Sequence, residues 1–128
     1  EAFWRKFHKE KEARITMALY PVEDVTKFGI AELDENNKIV KFIEKPSVEE
    51  APSNLNNAGA YVIEPEALEI LPEGKSNIER ECFEKFCGKY GSAYAFRHNG
   101  YWFPTDDLER YKKAEEGIKK ICGDTNEN

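Results

Sequence analysis

The chain has no run of apolar residues near the ~20 that a membrane-spanning helix requires. Its start shows no basic, apolar and small-residue succession that would mark a secretory signal. A cytoplasmic protein with no membrane partner is the expectation. Positive charge is also short: 19 Lys and Arg stand against 25 Asp and Glu, a net charge of −6. Nucleic-acid binders usually present a basic face, and anionic membrane surfaces attract polybasic segments, so neither partner is expected. The acidity does not exclude a phosphate ligand, because one well-placed lysine can hold it.

Cysteine and histidine are scarce too. The three cysteines, Cys82, Cys87 and Cys122, are odd in number and lack a CxxC spacing. That disfavours a zinc or redox motif and fits reduced thiols in a cytoplasmic protein. His8 and His98 have no Cys or His neighbour at ligand spacing, and both read as surface residues.

What is present suffices for one domain. The 128 residues are 40% hydrophobic and 12% aromatic, enough for one modest core. The first residue is Glu1, not Met, and EAFWRKFHKEKEA already reads as an amphipathic helix with Phe3 and Phe7 on one face and Trp4 beside them. A missing upstream part and a trimmed Met both explain such a start.

Periodicity and turn residues give the remaining elements. Arg14 to Tyr20 is an apolar run of strand length, ended by Pro21. Phe28 to Leu33 and Lys38 to Ile43 flank the turn-forming Asp34-Glu35-Asn36-Asn37, a hairpin signal. Pro46 to Asn56 reads as a loop, Ala58 to Ile63 as a strand and Glu66 to Leu71 as a short helix. Ser76-Asn77-Ile78-Glu79 matches a capping box for a helix to about Cys87, closed by Gly88. Ser92 to Phe96 is a strand, His98-Asn99-Gly100 a tight turn, and Tyr101 to Pro104 extended. A last helix spans Asp107 to Ile121, with Leu108, Tyr111, Ala114, Ile118 and Ile121 on one side. The expectation is one mixed α/β unit over 1–121 with a β-hairpin arm and no linker, followed by a polar, flexible tail over 122–128.

Four segments stand out for chemistry: Phe28-Gly29-Ile30, Glu44-Lys45-Pro46, Asn57-Ala58-Gly59-Ala60-Tyr61, and Gly100-Tyr101-Trp102 leading to Thr105-Asp106-Asp107. Glu44 can accept two hydrogen bonds from a polyol, or be a solvated charge at a strand end. Lys45 is a compact cation suited to phosphate, or one surface lysine among many. Gly29 admits close backbone approach, or serves a bulge or turn. Asn57 is a polar contact or a strand-entry residue. Asp106 is a carboxylate ligand or, with Glu109, an N-cap pattern.

In this order and spacing, VEDVTKFGIAELDENNKIVKFIEKP, NNAGAYVIEP, SNIERECF and GYWFPTD resemble the C-terminal half of the sugar-1-phosphate nucleotidyltransferases. The resemblance runs from about Glu1 to Lys120. It implies a partial Rossmann-like mixed sheet flanked by helices, with a hairpin arm. It implies a reaction of a nucleoside triphosphate (NTP) with a hexose 1-phosphate, giving an NDP-sugar and pyrophosphate. Glu44, Gly29 and Asn57 would contact the sugar and Lys45 the phosphate, while Gly59 and Tyr61 look more like packing. Asp106 would bind Mg²⁺. The usual Trp-x-Asp position is Pro104 here, and Trp102-x-x-x-Asp106 is nearest to the glucose-1-phosphate cytidylyltransferases.

The family's glycine-rich NTP loop and first metal-binding Asp have no counterpart in this sequence. The resemblance therefore implies a chain that lacks the nucleotide-binding half and is inactive alone. Its exposed sheet edge and apolar face would invite homo-oligomers. A non-catalytic binding or assembly module on the same fold is the alternative.

Overall fold

In a computed structural model the chain is described over residues 3–87 and 92–126, with side chains described up to residue 123. The expected closing Gly88 lies outside the described residues. Strand β1 (Ile15–Pro21) is the organising element, since Ile15 to Leu19 are all buried. A strand covered on both faces reads as a continuous apolar run rather than an alternation, as ITMAL does. One neighbour of β1 is β4 (Leu55–Ile63), antiparallel; the other is β5 (Ala93–Arg97), parallel.

The hairpin forms where its turn residues place it, from β2 (Gly29–Leu33) and β3 (Ile39–Glu44). Asp34 Oδ1 accepts the backbone N–H groups of Asn36 at 2.9 Å and Lys38 at 3.0 Å. Asn37 takes φ +65°, a conformation asparagine tolerates better than most residues. The sheet order is β3-β2-β4-β1-β5, a mixed five-stranded sheet with the expected hairpin arm. β2 pairs with β4 at Ile30–Asn56 and Ala31–Leu55. Farther along β4, Gly59 and Ala60 are exposed. The hairpin tip reaches the opposite edge, where the Ala95 N–H donates to Asn37 O at 2.9 Å.

One face of the sheet carries the main core: Ile15, Met17, Leu19, Ala31, Phe42 and Leu55 pack with Phe83 and Phe86. The other face is covered by helix α1 (Phe3–Glu10), whose Phe3, Trp4 and Phe7 rings surround Phe96 at centroid distances of 5.1, 4.4 and 5.7 Å.

Four sequence expectations are corrected. His8 is not a surface residue: it is 5% exposed, with Nδ1 2.7 Å from Thr16 Oγ1 and Nε2 2.6 Å from Glu64 Oε1. It pins α1 to the sheet because both ring nitrogens find partners there. His98 sits partly exposed at its turn, Nε2 3.0 Å from Tyr101 O. Second, the capping box from Ser76 is replaced by Asn77, whose Oδ1 accepts the Arg80 N–H at 3.2 Å. The segment it opens includes a wide π-helical turn, Glu79–Phe83. Third, β4 begins at Leu55, so Asn56 and Asn57 lie within the strand; the short helix after it, α2, is Pro65–Leu68. Fourth, the last helix, α3 (Leu108–Asn126), continues five residues past Ile121 into the expected tail. Its apolar stripe divides: Ala114 is buried, whereas Leu108, Tyr111 and Ile118 are exposed. A cleft of about 300 Å³ runs beside Tyr111, Ala114 and Ile118.

Candidate active site

Strand register builds the site. Gly29 lies opposite Glu44, and Ile30 opposite Asn56. Asn57, two residues beyond Leu55, takes the same face of the sheet as Ala31 and Gly29. Directly opposed residues share a face, so Glu44, Gly29 and Asn57 form one row across β3, β2 and β4. The row lies on the face that carries Phe42 and Phe83.

Gly29 is buried, and its lack of a side chain is used by close packing. An added Cβ would lie 2.5 Å from Phe42 Cζ and 2.7 Å from Glu44 Oε2. The space above the glycine is thus filled by the ends of those two side chains. Glu44 is half-buried, and its Oε2 has no hydrogen-bond partner among the described residues. Burial and the neighbouring Glu79 charge push its carboxyl above the ordinary glutamate range; Lys45 and Arg80 oppose this and Glu84 adds to it. The Glu44 backbone N–H donates to Glu84 Oε1 at 3.0 Å.

The raised proton affinity has a pH consequence. Between the unfolded and the folded titration of Glu44, the native state holds more protons, so stability falls as pH rises through that window. The contribution is fully present below the unfolded value and lost above the folded one. Glu44→Gln is expected to flatten this decline and to match or exceed wild-type stability at pH 7. Urea denaturation across pH 4 to 8 reads it; identical pH slopes in the two proteins would rule it out.

Lys45 follows at the end of β3. Its N–H donates to Phe28 O at 2.9 Å, and its φ is +48°. A residue before proline favours extended backbone, and a left-handed non-glycine residue costs roughly 1–3 kcal/mol. This one is held by its ladder bond on one side and by buried Pro46 on the other. The exposed Lys45 charge acts on Glu44 and on Asp106, lowering the proton affinity of both.

Asn57 is half-buried. Its Nδ2 donates to Tyr61 Oη at 2.8 Å, and its Oδ1 accepts the Gly59 N–H at 2.9 Å. Gly59 has φ +83°, and the β1–β4 register shifts here, so Asn57 bridges a bulge. Tyr61 packs against the core as expected, and its hydroxyl also meets the Asn57 amide. Burial raises its hydroxyl pKa, as do the charges of Glu79 and Glu44, and its ring lies 5.0 Å from Phe83. Glu79 and Glu84, which act on Glu44, were not singled out in the sequence. The Tyr61–Asn57 contact had a signal there: the two residues share a strand face, beyond a glycine.

Asp106 is exposed, and Arg110 Nη1 reaches its two oxygens at 2.8 and 2.7 Å. That ion pair is the leading cause of its lowered proton affinity. The helix cap falls to Asp107 instead, whose Oδ1 accepts the Arg110 N–H at 2.7 Å. Arg110 lies 4.7 Å above the Phe28 ring. Trp102 packs against Phe28 at 5.8 Å and donates from Nε1 to Ala58 O at 3.0 Å. These contacts bring the Asp106 segment beside the start of β2 and the middle of β4.

A magnesium ion takes one or two carboxylates plus phosphate and water oxygens. Asp106 has the right donor chemistry for one such arm, on exchange of Arg110. Among the described residues no group of three His, Cys, Asp or Glu side chains could hold a metal alone. A cleft of about 410 Å³, lined by residues including Tyr20, Asn54, Arg97 and His98, lies apart from the Glu44 row. No described helix is long and apolar enough to cross a membrane.

Comparison with known proteins shows the family. The nucleotidyl transferase family model matches residues 3–121, and the chain belongs to that family. Within it, the relatives are sugar-1-phosphate nucleotidyltransferases. A UTP–glucose-1-phosphate uridylyltransferase from Synechocystis sp. is 34% identical over 116 residues, covering 88% of this chain and 30% of that protein. The bifunctional protein GlmU of Methanococcus maripaludis is 38% identical over 121 residues, covering 88% and 29%. A UDP-glucose pyrophosphorylase solved with UDP-glucose superposes with a TM-score of 0.75 at 26% identity, covering 91% of this chain and 48% of that one. The chain thus spans about a third of these curated relatives and about half of the solved one.

Proposed function

We propose that this chain supplies the sugar 1-phosphate seat of a nucleotidyltransferase. The observation that carries the reading is the row Glu44–Gly29–Asn57, with the exposed Lys45 next to Glu44 at its end. Glu44 and Asn57 offer acceptors and donors to hexose hydroxyls, and Lys45 offsets the phosphate charge. A phosphate oxygen of the sugar 1-phosphate attacks the α-phosphorus of an NTP. The new P–O bond forms as the α–β bridge breaks, and pyrophosphate leaves with the electron pair. Positioning and charge neutralisation suffice for such a step. Asp106 would hold Mg²⁺, which supplies charge neutralisation at the phosphates. The NTP-binding elements would come from residues outside this chain, because its sequence has no glycine cluster before a helix.

Isothermal calorimetry with glucose 1-phosphate and mannose 1-phosphate tests the seat. Hydrogen bonds to charged groups are worth about 1.5–3 kcal/mol, so Lys45→Ala is expected to weaken binding roughly tenfold to a hundredfold. Pyrophosphate release by the isolated chain is expected to be absent. Equal affinity of wild type and mutant would remove Lys45 from the site, and robust turnover by this chain would overturn the divided-site reading.

A second reading, a non-catalytic binding or assembly module, draws on Arg110 engaging both Asp106 oxygens. Self-association through the exposed Leu108, Tyr111 and Ile118 stripe belongs to the same proposal. Light scattering on the calorimetry samples reads it, and a dilution-resistant monomer would exclude it.

A further inference from the structure

We propose that Glu84 is a positioning residue for Glu44: its carboxylate takes the outward main-chain N–H of Glu44 and fixes the end of β3 against the helical segment after Asn77. The inference rests on the sugar-seat reading for its functional meaning. Its structural content stands separately.

β3 is an edge strand, paired with β2 on one side. Along a strand, successive N–H groups point to opposite sides. The Lys45 N–H points inward, to Phe28 O at 2.9 Å. The Glu44 N–H therefore points out of the sheet, where an edge donor ordinarily relies on water. Glu44 is half-buried, so a missing acceptor would be costly. Glu84 Oε1 fills that place at 3.0 Å, across 40 residues of sequence.

Glu84 is itself held in place. The preceding residue, Phe83, is 1% exposed and packs edge-on to Phe42 at 5.7 Å and against Tyr61 at 5.0 Å. Phe42 and Tyr61 are the side chains beside Glu44 and Asn57. A single buried anchor thus sets Glu84 against the main chain of one candidate sugar ligand and braces the tyrosine that holds the other. The charge matters as well as the bond, since Glu84 is among the groups that raise the Glu44 proton affinity.

Two variants separate these contributions. Glu84→Gln keeps an acceptor oxygen and removes the charge, whereas Glu84→Leu removes both. Losing a hydrogen bond to a charged acceptor should speed exchange of the Glu44 amide about tenfold or more in Glu84→Leu. Exchange in Glu84→Gln should stay within about threefold of wild type. In Glu84→Gln the Glu44 carboxyl carbon should titrate at lower pH, a shift that loss of packing alone would not produce. Glucose 1-phosphate affinity should fall about tenfold in Glu84→Leu, in step with amide exchange. Unchanged Glu44 amide protection in folded Glu84→Leu would overturn the positioning role. Should that variant not fold, Glu84→Ala takes its place, and unchanged Glu44 amide protection there overturns the role. Absence of sugar phosphate binding by the wild type would instead defeat the seat reading and leave the amide and titration results to decide Glu84.

Discussion

Gly29→Ala is expected to destabilise the chain by about 2–3 kcal/mol, the upper part of the range for overpacking a tight site. The usual sign of a glycine-to-alanine change is the reverse. Where the backbone tolerates alanine, restricting the unfolded chain stabilises by about 0.4–1 kcal/mol. The contest is settled by what the methyl group meets. It would lie 2.5 Å from Phe42 Cζ and 2.7 Å from Glu44 Oε2. Phe42 is 4% exposed and packed on Phe83, so its ring has little room to give. Glu44 is the softer neighbour, and its carboxylate should be displaced. Urea denaturation reads the first effect and sugar phosphate calorimetry the second. A stabilised Gly29→Ala that binds like wild type would show that the packing above the glycine is loose.

His8→Phe should cost about 2–4 kcal/mol, because an unpartnered buried polar group costs about 1–3 kcal/mol beyond the lost bond. Thr16 is 0% exposed and would keep its hydroxyl with no access to water. Glu64 has a half-exposed side chain and can turn to solvent, so most of the loss falls on Thr16. Replacing both partners by apolar groups should recover part of it. The double variant His8→Phe with Thr16→Val is therefore expected to be more stable than the sum of the single changes by about 1 kcal/mol or more, the scale of coupling between residues in contact. Denaturation of the four proteins gives the coupling. Strict additivity would mean that the two side chains do not interact.

These two residues mark the boundary of what the sequence discloses. The hairpin was legible because Asp34 and Asn37 act within their own turn, and turn chemistry is local. β1 was legible because a strand buried on both faces leaves an apolar run. The choice of Asn77 over Ser76 as the cap was not, since both are good capping residues and the packing of Phe83 and Cys82 sets the start of the turn. His8 read as surface because no Cys or His stands at ligand spacing from it, and its partner Glu64 lies 56 residues away. Glu44 and Lys45 stood out as motif residues, but their setting did not. The Glu84 carboxylate at the Glu44 N–H is a long-range contact, and nothing near residue 84 announces it. The left-handed φ of Lys45 runs against the preference of a residue before proline, so local rules pointed away from it.

The two sides of the proposed sugar row ride on different parts of the sheet. Glu44 is carried by the hairpin arm and Asn57 by β4, and β2 pairs with β4 at Ile30–Asn56 and Ala31–Leu55. With its tip bonded at Ala95 as well, the arm is tied to the sheet at two places, and that short junction sets how far the carboxylate stands from the amide. A small change of twist there would widen or narrow the gap between carboxylate and amide.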